Sequence, residues 1–273
     1  MAAVVQQLQT NPGLFDGLYG FCGHHFKPDG TLYIGNITKN GQCAGKINAT
    51  STPIPGGADM LAEAKRQQID FQPVITLEDP FAAMNNTAPY IASFAAMAKK
   101  EGWKGFNLDW EGKNTTSTKE LFLNFCQLMN DFADGLEKHG LTFSTDVQWV
   151  TQWTKGPEDM TELTALLSSG HAKWITMDTY YYSTGRVVDA LDFYATRVSP
   201  SHLSVGMSSN SIVNQDGFVA RMHALREYHI SDVTMFMLPT AELWMPWLRK
   251  WKNDCAGCPG GGTLSCFAHE ACY

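Results

Sequence analysis

The chain has 273 residues, of which 44% are hydrophobic, 12% aromatic and 17% charged. This composition is typical of a globular protein and excludes an intrinsically disordered chain. The net charge of -7 and the lack of a long apolar run argue against nucleic acid or a membrane as a partner. We expect a monomer.

Short apolar segments recur along the chain at a nearly regular interval. They are rich in β-branched and aromatic residues, which predicts buried strands at residues 17–22, 71–77, 105–111, 141–149, 174–180, 203–207 and 233–238. Between them, apolar residues at helical spacing predict helices at residues 2–9, 58–68, 89–100, 118–139, 157–168, 187–197, 215–229 and 244–252. Strands that alternate with helices predict an α/β protein with a parallel sheet.

The regular interval favours a (β/α)8 TIM barrel over the alternative, an open doubly wound sheet. Seven strands are predicted, whereas a closed barrel needs eight, and a helix precedes the first predicted strand. We therefore expect residues 1–253 to form a barrel that lacks its first strand, with a gap between residues 17–22 and 233–238. Residues 254–273 are expected to form a separate Cys- and Gly-rich tail.

Cysteines and glycosylation sequons bear on the compartment. Four of the seven cysteines lie in the tail, which suits disulfides in an oxidising compartment better than a zinc site. Sequons of the type Asn-x-Ser/Thr begin at Asn36, Asn48, Asn85 and Asn114. The N-terminus has no signal-peptide pattern, so we expect either a cytosolic protein or a secreted or lysosomal glycoprotein whose start lies upstream.

The most informative segment is the acidic strand predicted at residues 105–111. Asn107, Asp109 and Glu111 alternate with apolar residues and therefore share one face of the strand. In a barrel that face lines the lumen, and Glu111 lies at the C-terminal mouth, where barrel active sites are found. Paired carboxylates there would raise one pKa and supply a general acid. The alternative is an edge strand whose polar face meets water.

Residues 103–111, Trp-Lys-Gly-Phe-Asn-Leu-Asp-Trp-Glu, resemble the signature strand of the chitinase-like glycoside hydrolases of family 18. The inner Asp and the final Glu of that signature are Asp109 and Glu111. Two positions depart from it, since Lys104 and Asn107 stand where the family usually has Asp. Residues 143–149 and 174–181 resemble the family's fifth and sixth strands, the former as in di-N-acetylchitobiase-like members.

The resemblance implies substrate-assisted hydrolysis, in which the sugar's own acetamide attacks the anomeric carbon. Glu111 would protonate the leaving oxygen, Asp109 would bind the acetamide nitrogen, and Tyr180 would bind the acetamide oxygen. The implied substrate is β-1,4-linked N-acetylglucosamine, in chitin oligosaccharides or N-glycan cores. No metal or other cofactor is expected.

Further substrate-binding candidates are less specific. They are Asn107 and Asp178, Tyr181, which stands where the family has Asp or Asn, and the aromatic residues Trp149 and Trp244. Met237 replaces the Trp that usually ends the family's eighth strand.

Two other functions fit the sequence less well. A non-catalytic N-acetylglucosamine-binding lectin on the same barrel is the main alternative, and Glu111 favours the enzyme because binding-only members usually lose that acid. An unrelated phosphate-binding barrel would need a glycine-rich phosphate loop after its last strands, which this sequence does not supply.

Overall fold

Strands alternate with helices throughout the described part of the chain. The computed structural model describes residues 2–33, 57–109, 118–147, 160–176, 184–208, 215–236, 244–254 and 262–268. The strands are β1 (Gly17–Phe26), β2 (Leu32–Tyr33), β3 (Asp70–Leu77), β4 (Gly105–Leu108), β5 (Thr142–Val147), β6 (Lys173–Thr176), β7 (Leu203–Ser208), β8 (Asp232–Phe236) and β9 (Thr263–Ala268). The helices are α1 (Ala2–Thr10), α2 (Gly57–Arg66), α3 (Pro80–Asn85), α4 (Ala88–Glu101), α5 (Lys119–Glu137), α6 (Met160–Ser168), α7 (Thr184–Ala195), α8 (Gln215–Glu227) and α9 (Trp244–Asp254).

Eight parallel strands close into a ring, which confirms the predicted TIM barrel. In the nine-stranded sheet, β2 pairs only with β1, in an antiparallel hairpin. The other strands follow in chain order from β1 and β3 to β9, and β9 pairs again with β1. The helices between them cover the outside of the ring, as parallel strands buried on both faces require.

The expectation of a missing strand is wrong, because β9 fills the predicted gap. Its residues pair in parallel with β8, Thr234 opposite Ser265, and with β1, Leu18 opposite Cys266. The strand comes from the segment assigned to a separate tail, so the barrel extends to Ala268. The strand has no long apolar run and lies among glycines and cysteines, so its local sequence does not indicate a strand. Closure removes the two edges that would have exposed unpaired backbone.

An aromatic cluster fills the space between the first strands and their helices. Phe26, Phe106 and Phe143 point outward from β1, β4 and β5 and meet Phe132 of α5 at ring-centroid distances of 5.8 to 6.5 Å. All four are buried. At about 1.5–3 kcal/mol for each fully buried side chain of this size, the cluster is a large part of the driving force for packing the helices on this side.

Gly105 shows why the acidic strand needs a glycine at its start. A Cβ at this position would overlap the backbone carbonyl oxygen of Thr142 on β5. Backbone cannot move away as a flexible side chain can, so only glycine allows β4 and β5 to approach this closely.

The long helix α5 begins one residue later than its sequence suggests. Ser117 and Glu120 predict a capping box, but Thr118 is the cap, and its side chain accepts a hydrogen bond from the Leu121 amide. Gly140 ends the turn after the helix with φ +70°, as expected for a glycine after a helix C-terminus. Cys126 lies fully buried in α5. No helix in the described ranges has the length and apolarity needed to cross a membrane.

Candidate active site in the barrel lumen

Strand register determines which side chains enter the lumen. Asn107 pairs with Ser144, and Ser144 pairs with Lys173, so these residues lie side by side on β4, β5 and β6. The flanking Phe106 and Phe143 point outward into the aromatic cluster. Because side chains alternate along a strand, Asn107, Ser144 and Lys173 point inward.

The N-terminal end of the lumen contains a compensated ion pair. Lys173 Nζ lies 2.5 Å from a carboxylate oxygen of Asp232, the first residue of β8, and their side chains are 28% and 11% exposed. Burial alone would lower the pKa of Lys173, but the Asp232 carboxylate and the Tyr19 hydroxyl hold it above its ordinary value. Lys173 therefore stays protonated, and the pair joins two strands across the lumen floor.

A buried network of side-chain hydrogen bonds lies next to this ion pair in the lumen. Asn107 Nδ2 donates to Ser144 Oγ at 3.1 Å, and the Tyr19 hydroxyl of β1 also hydrogen-bonds Ser144. Burial is the main reason why the pKa of Tyr19 is raised, and the nearby Lys173 ammonium opposes that shift. The phenol is thus neutral at physiological pH. The network fixes the inner faces of β1, β4 and β5 relative to one another.

Two carboxylates follow two residues further along β4 and β5, nearer the C-terminal mouth. Asp109 comes directly after β4 and is half-buried, whereas Asp146 of β5 is only 3% exposed. The Asp109 amide donates to the Ile75 carbonyl of β3 at 3.3 Å, so the sheet continues to this residue. Because side chains alternate along a strand, Asp109 is expected on the same lumen face as Asn107, two residues nearer the C-terminal mouth.

Several predicted site residues fall outside the described residues. They are Glu111, Tyr180, Asp178, Tyr181 and Trp149, together with Met237. Their proposed roles remain predictions.

Two substrate-binding candidates are buried. Asn107 is fully buried and its Nδ2 donates to Ser144 Oγ, which suits a residue that positions its neighbours. Trp244 begins α9 and is 6% exposed, with its ring edge-on to Phe218 of α8 at 4.7 Å. Its burial and this contact place Trp244 in the packing between α8 and α9.

Sequence reasoning missed Tyr19, Ser144 and Asp146 as parts of the lumen. The signal for the last two was present, because Ser144 and Asp146 alternate with buried residues in a predicted strand, as Asn107 and Asp109 do. That alternation also occurs on half-exposed strands, so only the register identifies the lumen face. Among the residues that the structure describes, no group of three or more His, Cys, Asp or Glu side chains is placed to hold a metal ion.

Comparison with known proteins establishes the fold and not the family. No protein-family model matches the chain, and no curated protein matches its sequence. Its structure is similar to a chitinase from Chromobacterium violaceum, with a TM-score of 0.63 and 10% identity over 92% of this chain and 94% of that one. It is also similar to the spore cortex-lytic enzyme SleL of Bacillus cereus, with a TM-score of 0.55 and 14% identity over 97% and 67% of the two chains. A class V chitinase from Pseudomonas fluorescens is similar with a TM-score of 0.53 and 16% identity, over 83% of this chain and 72% of that one.

Proposed function

We propose that the protein is a glycosidase that hydrolyses β-1,4-linked N-acetylglucosamine by a substrate-assisted, retaining mechanism. The observation that carries the proposal is the position of Asp109, which lies at the mouth end of β4 on the lumen face. Glu111 follows it by one strand repeat in the sequence. Barrel enzymes take their catalytic groups from this end of the strands.

Each residue has a distinct role in the proposed mechanism. The carbonyl oxygen of the substrate's acetamide attacks the anomeric carbon while Glu111 donates a proton to the leaving glycosidic oxygen. Asp109 accepts a hydrogen bond from the acetamide N–H and stabilises the positive charge that develops on the resulting oxazolinium ring. Tyr180 binds the acetamide oxygen. Water then opens the ring, with the Glu111 carboxylate accepting its proton.

The structural neighbours support a glycosidase more than they support a particular substrate. Two of the three described above are chitinases and the third is a spore cortex-lytic enzyme, but each is less than 20% identical to this chain. Chitin oligosaccharides and N-glycan cores both contain the required 2-acetamido sugar. Asp178, Tyr181 and Trp149 are proposed to line the sugar site, and neither Asn107 nor Trp244 is included in it.

We also propose secretion or delivery to a lysosome. Asn85, which begins one of the four sequons, lies exposed at the end of α3 and is accessible for glycosylation. The test is expression in a secreting eukaryotic host behind an added signal peptide, followed by glycosidase F treatment. We expect the treatment to lower the mass of the wild-type protein, and to lower the mass of Asn85→Gln by less. A wild-type mass that does not change on treatment would contradict the proposal.

The catalytic proposal is tested by Glu111→Gln on chitin oligosaccharides. The amide keeps the size of the side chain but cannot donate the proton, so we expect kcat to fall by about 10²–10⁴-fold. Oligosaccharide binding, measured by calorimetry, should persist. Reducing-end release by wild type and variant is the assay.

Glu101→Gln is the matched control, since Glu101 is an exposed residue at the end of α4 on the outside of the barrel. It should leave kcat unchanged. If the wild-type protein binds these sugars but cleaves none of them, the protein is a lectin. If it cleaves deacetylated chitosan as fast as chitin, the acetamide is not the nucleophile.

A further inference from the structure

We propose that a cleft between α8 and α9, on the outside of the barrel, binds a short branched-chain carboxylate. The cleft has a volume of about 70 Å³ and lies between one face of each helix. The proposed glycosidase makes no use of it, because barrel enzymes take their catalytic groups from the C-terminal mouth. The proposal therefore goes beyond the proposed function and does not depend on it.

The two helices line the cleft with residues at the same spacing. Both helices connect parallel strands, so they run in the same direction along the outside of the ring. Residues three, four and seven positions apart share one face of a helix. Such residues in the lining are Val219, Met222 and Arg226 of α8, and Trp247, Trp251 and Asp254 of α9. The cleft is therefore apolar at one end and charged at the other.

The charged end has one more cation than it has anions. Arg226 forms an ion pair with the Asp254 carboxylate, and Lys250 Nζ lies 3.2 Å from the same carboxylate oxygen. His223, the other titratable lining residue, can add positive charge but not negative charge. Two cations around one carboxylate favour a monoanion, and the Arg226 guanidinium has further N–H groups with which to bind a second carboxylate.

The wall of the cleft also contains an unmet hydrogen-bond donor. Trp251 is the least exposed lining residue, at 2% compared with 8% for Met222. Its indole N–H is buried and has no hydrogen-bond partner among the described residues. A buried donor without an acceptor costs stability, so a ligand oxygen that accepts from it would remove that cost.

The apolar end sets the size of the ligand. Val219, Met222 and Trp247 offer aliphatic and aromatic surface, against which water makes few hydrogen bonds. Displacing such water with an apolar group favours binding. Since a cavity of about 150 Å³ holds a benzene ring, a volume of about 70 Å³ suits an aliphatic group of roughly three or four carbons. A branched group of that size with one carboxylate fits both ends of the cleft.

The cleft is remote from the proposed catalytic groups. Arg226 and Asp254 lie at the C-terminal ends of α8 and α9, and the chain then continues to the starts of β8 and β9. The charged end of the cleft is therefore on the side of the barrel opposite the mouth. A ligand bound there does not compete with an oligosaccharide at the lumen.

The test is NMR of the full-length protein with 15N-labelled tryptophan, titrated with isobutyrate at neutral pH. Trp251→Phe and Trp247→Phe each remove one of the eight indole signals and so assign two probes in the cleft. Both signals should shift with a Kd of about 1–10 mM, because so small a ligand has little binding free energy available. Acetate, which lacks the apolar group, and isobutyramide, which lacks the charge, should each bind about fivefold more weakly or worse.

Three variants test the charge count. Lys250→Gln removes the excess cation and should raise the Kd by about fivefold, whereas Asp254→Asn increases the excess and should lower the Kd by about threefold. Arg249→Gln is the matched control, because it removes the same charge from an exposed residue of α9 that does not line the cleft. It should leave the Kd unchanged.

The proposal is overturned if neither tryptophan signal moves up to about 50 mM isobutyrate, five times the highest expected Kd. Equal binding of isobutyramide and isobutyrate, or equal losses in Lys250→Gln and Arg249→Gln, would overturn it as well. Glu111→Gln should bind isobutyrate as wild type does. Because the titration needs no hydrolysis, failure of the carboxylate site leaves the proposed glycosidase intact, and failure of the glycosidase leaves the site intact.

Discussion

The two ends of the barrel lumen handle buried charge in opposite ways. At the N-terminal end, the Asp232 carboxylate is matched by the Lys173 ammonium at 2.5 Å. At the C-terminal end, two carboxylates follow the last backbone pair of neighbouring strands, Asp109 directly after β4 and Asp146 near the end of β5. Removing one partner of a buried ion pair leaves a costly unpaired charge, whereas removing one of two neighbouring like charges relieves their repulsion. The comparison predicts that removing a charge lowers the free energy of unfolding at the N-terminal end, and leaves it unchanged or raises it at the C-terminal end.

The largest effect on stability is expected at the N-terminal end. Lys173→Met leaves the Asp232 carboxylate without its partner in a mostly buried site, and should lower the free energy of unfolding by about 3 kcal/mol at pH 7. Urea denaturation at pH 7 is the measurement.

Two variants serve as controls for that result. Replacing both partners, Lys173→Met with Asp232→Leu, should recover much of the loss, since no buried charge remains. Lys100→Met, which breaks the exposed pair with Glu101, should change stability by less than about 0.5 kcal/mol. A loss for Lys173→Met no larger than for Lys100→Met would remove the distinction between the two ends.

A smaller effect of opposite sign is expected at the mouth. Asp109→Asn removes one of two like charges, so the free energy of unfolding should stay the same or rise by up to about 1 kcal/mol at pH 7. Under the proposed function, hydrolysis of N-acetylglucosamine oligomers should fall at the same time. A loss of stability greater than about 1 kcal/mol would mean that Asp109 is compensated in the way that Asp232 is.

The smallest effect concerns a matched carboxylate on the outside of the barrel. Arg66 and Gln67 hydrogen-bond the Glu63 side chain in α2 and lower its pKa from 4.5 to about 2. Because the folded value is below the unfolded one, the stabilisation is complete above about pH 4.5 and is lost as the pH falls towards 2. Comparing the melting temperatures of wild type and Glu63→Gln from pH 6 to pH 2 measures it.

The difference in melting temperature between wild type and Glu63→Gln should narrow as the pH falls from 4.5 towards 2. Arg66→Gln, which removes the main cause of the shift, should flatten the wild-type pH dependence in the same direction. Melting curves of wild type and Glu63→Gln that run parallel at every pH would contradict the assignment.

The alternation of strands and helices, and with it the TIM barrel, could be predicted from the sequence. Apolar periodicity is a local property, and it located seven of the eight ring strands. The eighth, β9, was missed because its short run of Thr, Ser and Cys with few large apolar residues resembles a disulfide-bonded tail. Its strand state depends on two long-range partners, β8 and β1, which no local pattern reveals.

The candidate site divides in the same way. The sequence by itself determined that Asn107 and Asp109 share a face, since side chains in a strand repeat every two residues, and that Gly105 opens the strand. Only the tertiary structure decided that Asn107 is buried and hydrogen-bonded to Ser144, that Trp244 packs against α8, and that β5, which carries Asp146, is the strand next to β4. The physical reason is that a neighbour across a sheet is set by register between segments far apart in the chain, and register is fixed only when the whole ring closes.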